Sequence, residues 1–377
     1  MKVAFIANSV WYLSNFRAST LEAFSRQHAV SCLFPAQDDP GPLARYDVAL
    51  APFFLDAVST HPVKEGRALL SLFNTLRRVR PAVVYSFNPK TNLYALIACW
   101  LLRLPCVPNV SGVGVASQLG GLKGRLYRGL AGFFYRRAWH VFFQNRQDRE
   151  AFLQAGWVSQ GKSEVIPGSG VDLSRFSPTP REPGRPVRFL MAARLLKAKG
   201  VPEYLQAARD LQAAMPGRVE FLLAGGVEPS ERGVPEAELV AWGQERGMRF
   251  LGHVADMPAL LGTVDCVVLP SYYPEGVPRS LIEAAAGGKL IVTTAMPGCQ
   301  EVVLPGENGW CVPPRDVPAL RLAMQRVAKL DAAGLARMGQ ASRALAEQRF
   351  DENLVIERYW QVLPDEAGGG ADMEGLR

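Results

Sequence analysis

Residues 266–294 read CVVLPSYYPEGVPRSLIEAAAGGKLIVTT. An apolar run of strand length, 266–271, ends in a loop punctuated by proline and glycine. A helix pattern follows over 278–286, then a second apolar run over 289–294. Strand, helix and strand within about thirty residues form one crossover unit of a parallel sheet. The centres of both runs, CVVL (266–269) and LIV (290–292), are continuously apolar rather than alternating, as expected of strands covered on both faces. Pro278 suits the first turn of the helix, where its missing N–H costs nothing.

The same unit recurs in both directions. Towards the N-terminus lie strands at 187–193, 219–226 and 248–254, with a helix at 201–214 and a short one at 257–261. Towards the C-terminus the pattern predicts helices over 317–329, 333–349 and 353–363. The first half repeats it with strands at 2–8, 29–34, 46–51, 81–87, 105–110, 139–145 and 163–168. Helices are expected between them at 16–26, 66–79, 93–102, 122–137 and 146–155. The halves meet at SPTPREPGRP (177–186), which has no period and reads as a linker. The expected architecture is α/β, with two Rossmann-like, doubly wound parallel-sheet lobes facing across a cleft. An N-terminal lobe (1–176) is closed by a C-terminal helix (350–363), a second lobe spans 187–349, and a flexible tail spans 364–377. Ligands of such sheets bind beyond the carboxyl ends of the strands, so the cleft is the expected site.

Composition narrows the chemistry. The 377 residues are 48% hydrophobic and 20% charged, which is globular, and the length suits two domains. The six cysteines form no CxxC pair and fall in apolar patterns, and there are four histidines, so a Cys/His metal site is not expected. MKVAFIAN enters a strand directly, without a signal-peptide pattern, and no run is long and apolar enough to span a bilayer. The expected location is cytoplasmic. The net charge of +7 fits nucleic acid, an anionic membrane or phosphate-bearing ligands.

Gly156 to Ser163 matches G-x-x-x-x-G-K-[ST], but it follows a helix and opens a strand, the reverse of a phosphate-cradling loop. The first strand lacks the G-x-G-x-x-G that would favour a dinucleotide enzyme. Ser14 or Asn15 is placed to cap the next helix, and Arg17 to face the cleft and meet an anion. Arg194, Lys197 and Lys199 follow one strand and precede a helix, a position suited to a diphosphate, although a solvated surface loop has the same composition. Gly276 lets backbone amides approach a ligand. Glu275 and Glu283, on the loop and its helix, are suited to paired sugar hydroxyls; two ordinary surface glutamates are the plainer alternative.

Taken together, Arg194, Lys199 and the Glu275-x7-Glu283 segment resemble the donor site of the family 4 retaining glycosyltransferases of GT-B fold. The resemblance extends through 167–178, the 306–316 turn and, in the first half, 86–114 and 141–152. These last two stretches are similar to enzymes extending undecaprenyl-diphosphate-linked sugars, such as the diacetylbacillosaminyl-lipid N-acetylgalactosaminyltransferases. It implies that Arg194 and Lys199 hold the donor diphosphate as it leaves, that Glu283 binds the ribose hydroxyls and Glu275 those of the donor sugar. Gly276, Val277 and Pro278 would lie against sugar and phosphate, and Gly252, His253 and Val254 near the base. Many members carry a histidine in the first lobe where this chain reads Ser86-Phe87-Asn88-Pro89-Lys90, which leaves Asn88 and Lys90, with Asn15 and Arg17, as candidates on the acceptor side.

The reaction so implied is retaining transfer of a hexosamine-type sugar from a nucleotide diphosphate donor, UDP-GalNAc or UDP-GlcNAc first, to a lipid-diphosphate-linked or other glycan. There is no D-x-D motif, so no metal or other cofactor is expected. Residues 121–137 place Lys123, Arg125, Arg128, Arg136 and Arg137 beside Leu122, Leu126, Leu130, Phe133 and Phe134. This pattern suits a helix lying on the anionic inner-membrane surface, or a core helix with a solvated basic side. The expected partners are therefore the donor, a lipid-linked glycan and that surface, without nucleic acid. A sugar-nucleotide 2-epimerase on the same fold is the alternative enzyme. A sugar-binding protein of periplasmic type would need an export signal.

Overall fold

A computed structural model describes residues 1–56, 59, 61–112 and 121–364, with the side chains of Leu122 and Lys123 excepted. All but the first residue of the tail expected at 364–377 lies outside the described residues. The chain divides into two compact units, 1–169 with 352–377, and 170–351.

The first unit holds seven strands: β1 (Lys2–Ile6), β2 (Ala29–Pro35), β3 (Val48–Phe53), β4 (Val83–Phe87), β5 (Cys106–Val110), β6 (Val141–Phe143) and β7 (Ser163–Val165). They form one parallel sheet ordered β3-β2-β1-β4-β5-β6-β7. The apolar run of β1 has a direct cause. Val3 and Phe5 enter one core, while Ala4 and Ile6 enter another on the opposite face. Full burial of a Val, Ile or Phe side chain such as Val3, Phe5 or Ile6 contributes about 1.5–3 kcal/mol. Helices Pro62–Val79, Pro89–Leu102 and Gly121–Tyr135 pack on the Ala4 face. The C-terminal helix Glu352–Gln361 lies on the Phe5 face, where Tyr359 meets Tyr85 and Phe142 at 5.1 Å.

The second unit holds β8 (Val187–Ala192), β9 (Val219–Ala224), β10 (Met248–Gly252), β11 (Cys266–Leu269), β12 (Leu290–Thr294) and β13 (Gly309–Val312), all parallel and ordered β10-β9-β8-β11-β12-β13. In each sheet the order reverses beside its first strand. These switch points lie between β1 and β4 and between β8 and β11.

Two local expectations change. The helix expected over 16–26 is two helices, Val10–Phe16 and Ala18–Ser25, broken at Arg17 with φ −128° and ψ 10°. The stretch expected as a linker, 177–186, is fastened within the second unit. Arg181 and Arg185 both pair with Asp265, at 2.9 and 2.6 Å, and Thr179 donates to the carbonyl of Gly262.

Candidate functional site

In the second unit, the loops after β8 and β11 meet at the switch point. The chain leaving β8 passes exposed Arg194, turns tightly over Lys197–Lys199, and reaches Gly200 at φ 80°. A Cβ on Gly200 would lie 2.1 Å from the carbonyl oxygen of Pro270, so the turn sits against the β11 exit only because glycine is there. The amide of Tyr272 donates to the carbonyl of Ala198 at 2.9 Å, locking the two loops.

This closure brings Lys199 to Glu275. The buried Lys199 ammonium donates to Glu275 Oε2, and Ser271 Oγ donates to Glu275 Oε1 at 3.0 Å. Tyr273 lies with its ring 5.5 Å from the same ammonium. Lys199 has three donors, and among the described residues Glu275 is the one acceptor they meet. Arg194 makes no ion pair among the described residues.

Val277 is buried, and Pro278 occupies the N-cap of helix Arg279–Ala286 with φ −65°. Gly276 presses against the short helix Pro297–Gln300. A Cβ on Gly298 would lie 2.0 Å from the oxygen of Gly276. Glu283 pairs with Arg279 one turn earlier, at 2.9 Å, and burial raises its carboxyl above the usual range, with Arg279 opposing. The two glutamates expected to act together are thus held by different cations.

Beside them, the loops after β9 and β10 are stitched to the same edge. Gly225 donates to the carbonyl of Gly252 at 2.7 Å, and Leu195 to that of Gly226 at 3.1 Å. Gly225 has φ 150°, and a Cβ there would fall 1.8 Å from the oxygen of Ala193. Gly252, exposed His253 and Val254 follow at the sheet's far strand.

The acceptor-side candidates lie in the first unit, where the expected helix cap and the expected exposure of Arg17 change. Ser14 and Asn15 cap nothing, because both lie inside helix Val10–Phe16. Ser9 is that helix's cap, accepting from Tyr12 N at 3.1 Å, and Asn15 Nδ2 donates to the carbonyl of Trp11. Arg17 does not face solvent. It is 1% exposed, its guanidinium lies 4.4 Å over Phe87, and Nη2 donates to Tyr12 Oη at 3.2 Å. The aromatic residues of β4 and the C-terminal helix enclose it, which no local pattern announces. Asn88 sits at φ 74° and accepts from the amide of Asn8 at 3.2 Å, bridging β1 and β4. Lys90 spends all three donors on the carbonyls of Asp56 and Ser59 and on Glu65, at 2.7, 2.7 and 2.9 Å.

Several partners escaped the sequence reading: Ser271, Gly298, Arg279, and Arg315, whose guanidinium lies 4.4 Å over Tyr272. Only Arg279 had a local signal, its four-residue spacing from Glu283. The P-loop-like stretch behaves as its context requires, with Gly156 at φ 64° after helix Arg146–Gln154 and a tight turn leading into β7.

Two family models match the chain: a glycosyl transferase 4-like domain over 16–168, and glycosyl transferases group 1 over 175–345. The glycogen synthase of Mycobacterium tuberculosis is 32% identical, over 80% of this chain and 73% of that enzyme. An N,N'-diacetylbacillosaminyl-diphospho-undecaprenol alpha-1,3-N-acetylgalactosaminyltransferase from Campylobacter jejuni is 24% identical over 96% of this chain and 98% of its own. Among solved structures, Anabaena Alr3699/HepE in complex with UDP-glucose superposes with a TM-score of 0.79 at 21% identity, covering 96% of this chain and 99% of that one. The chain belongs to the GT4-like glycosyltransferases of GT-B fold.

Proposed function

We propose that this glycosyltransferase moves a hexosamine-type sugar, with retention, from a UDP-sugar to a lipid-diphosphate-linked glycan during polysaccharide assembly. The carrying observation is the buried Lys199 ammonium at the β8/β11 switch, with donors to spare and Arg194 exposed on the same loop. In the reaction the bond from the anomeric carbon to the diphosphate breaks and a bond to the acceptor oxygen forms on the same face. The hydroxyl proton leaves with the departing diphosphate. Negative charge grows on that leaving group, and fixed cations in a partly dry site stabilise it most. Lys199 and Arg194 fill that role without a metal.

Glu275, oriented by Ser271 and Lys199, accepts from the sugar hydroxyls. Glu283, oriented by Arg279, accepts from the ribose. Anabaena HepE was solved with UDP-glucose, and the Campylobacter enzyme acts on an undecaprenol-linked acceptor, which supports both halves of the reading. Among the described residues no helix is long and apolar enough to cross a membrane. The chain would therefore reach such an acceptor from the surface, through segment 121–137.

A panel of nucleotide sugars, UDP-GalNAc and UDP-GlcNAc first, tests the proposal with polyprenyl-diphosphate-linked acceptors and chelator present. An α-linked product by proton NMR is expected. An inverted product, or turnover that the chelator abolishes, contradicts the corresponding part.

A further inference from the structure

Between Glu65 and Asp148 the sequence contains no acidic residue and twelve lysines and arginines. The whole chain carries only +7, so its basic excess resides in this block. Two helices of the block, Pro89–Leu102 and Gly121–Tyr135, pack on one face of the first sheet. They bury Ala95, Ala98 and Cys99 from one and Ala131, Phe134 and Tyr135 from the other.

Their outward sides are apolar as well. Trp100 is 38% exposed, Leu101 54%, Leu126 64%, Leu130 40% and Phe133 40%, five of the eleven exposed large apolar side chains among the described residues. The patch runs unbroken between the helices, because Trp100 meets Phe133 at 5.9 Å and Phe134 at 5.7 Å, both edge-on. Arg137 lies 3.6 Å over the Phe133 ring; Arg103, Arg125 and Arg136, each within three residues of Leu101, Leu126 or Phe133 in the chain, are exposed, Arg136 Nε also donating to the carbonyl of Gly156 at 2.6 Å. Solvated helices ordinarily mix both signs of charge. Here apolar side chains, an amphipathic tryptophan and a rim of one sign share a surface, which is the composition of a face that lies in an anionic lipid interface.

We propose that this two-helix surface seats the protein on an anionic bilayer. The tryptophan, phenylalanine and leucines enter the boundary of the acyl chains, and the arginines meet lipid phosphates. The proposal deepens the membrane contact inferred above for 121–137 and rests on that reading, but it assigns an equal share to the helix Pro89–Leu102, which has no basic stripe of its own.

Co-sedimentation of the full chain with vesicles tests it, using phosphatidylcholine alone and phosphatidylcholine with about 30 mol% phosphatidylglycerol. Binding to the anionic vesicles only is expected. Leu101→Ser on one helix and Leu126→Ser on the other should each weaken it about tenfold. Both residues are more than half exposed, so folding survives, and an unchanged Tm verifies that. Arg125→Gln with Arg136→Gln should remove the preference for anionic lipid. Wild-type binding by Leu101→Ser would overturn the two-helix surface. So would binding indifferent to lipid charge, or a wild-type dimer that Leu101→Ser dissociates, which would assign the patch to a second copy. Vesicle binding needs no sugar, so loss of transfer with binding intact counts against the proposed reaction and not against this surface.

Discussion

Across the β8/β11 switch of the second unit, Lys199 meets Glu275 and keeps donors unspent. Across the β1/β4 switch of the first unit, Asn88 meets the backbone of Asn8, and the nearby cations are consumed: Lys90 by three acceptors, Arg17 by a cover of aromatic rings. The two sheets share a winding, so topology alone does not make an anion site. What differs is whether a cation at the strand end has donors left that a ligand can reach: Lys90 has spent its three, and Arg17 lies enclosed at 1% exposure. A lysine with three acceptors is a structural clasp, and one with a single carboxylate still has hydrogen bonds to give.

The largest effect expected from this contrast is on turnover. Lys199→Ala should lower kcat about 10²–10³-fold with Tm near wild type, the range seen when one transition-state charge donor is lost. Lys90→Met should do the opposite, lowering Tm while each folded molecule turns over normally. Loss of turnover with unchanged Tm in Lys90→Met would break the comparison.

Next come the glycines that hold the donor loops together. Gly225→Ala drives a Cβ into the oxygen of Ala193 and should cost about 2–3 kcal/mol in denaturant unfolding. Gly184→Ala, in the same unit with a positive φ but open space, should cost about 1 kcal/mol. Equal costs would mean that backbone conformation rather than close approach governs both.

Arg17 sharpens the comparison from the other side. Among the described residues, Nε and Nη1 are buried without hydrogen-bond partners. Arg17→Met exchanges that unmet demand for an apolar chain of similar length and should change stability by no more than about 1 kcal/mol. Unchanged Tm with a large rise in acceptor KM would return Arg17 to an anion-binding role.

How much of this was legible depended on sequence distance. The strands and both donor loops were readable because apolar runs, Pro278 and the glycines act within a few neighbours. The strand order that puts 193–199 beside 271–277 was not legible, because continuous apolar runs imply a covered parallel sheet and no particular neighbours. What escaped reading depends on residues far along the chain. Asp265 captures Arg181 and Arg185 and turns an apparent linker into part of the second unit. Tyr359 and Phe87 close over Arg17, and the β11 exit fixes Gly200. A cation before a helix looks the same in sequence whether rings or water will surround it.

The smallest expected effect is on the pH dependence of stability. Burial holds the Glu283 carboxyl above its ordinary value of 4.5. The folded state therefore binds that proton more tightly than the unfolded chain. The stabilisation is full at pH below 4.5 and is lost as pH rises through the raised folded value. Glu283→Gln lacks this loss, so its Tm relative to wild type should climb as pH rises above the ordinary carboxyl value and level once the raised folded value is passed. A Tm difference independent of pH would mean that Arg279 cancels the burial.

The central claim is that the cations at the β8/β11 switch hold the donor diphosphate, and the most direct measurement is calorimetric titration with UDP alone. The account predicts that Lys199→Ala and Arg194→Ala each weaken UDP binding at least about tenfold, the value of a charge-assisted contact, while Asn88→Ala in the first unit binds as wild type. Wild-type UDP affinity in Lys199→Ala, with the fold intact, would contradict it.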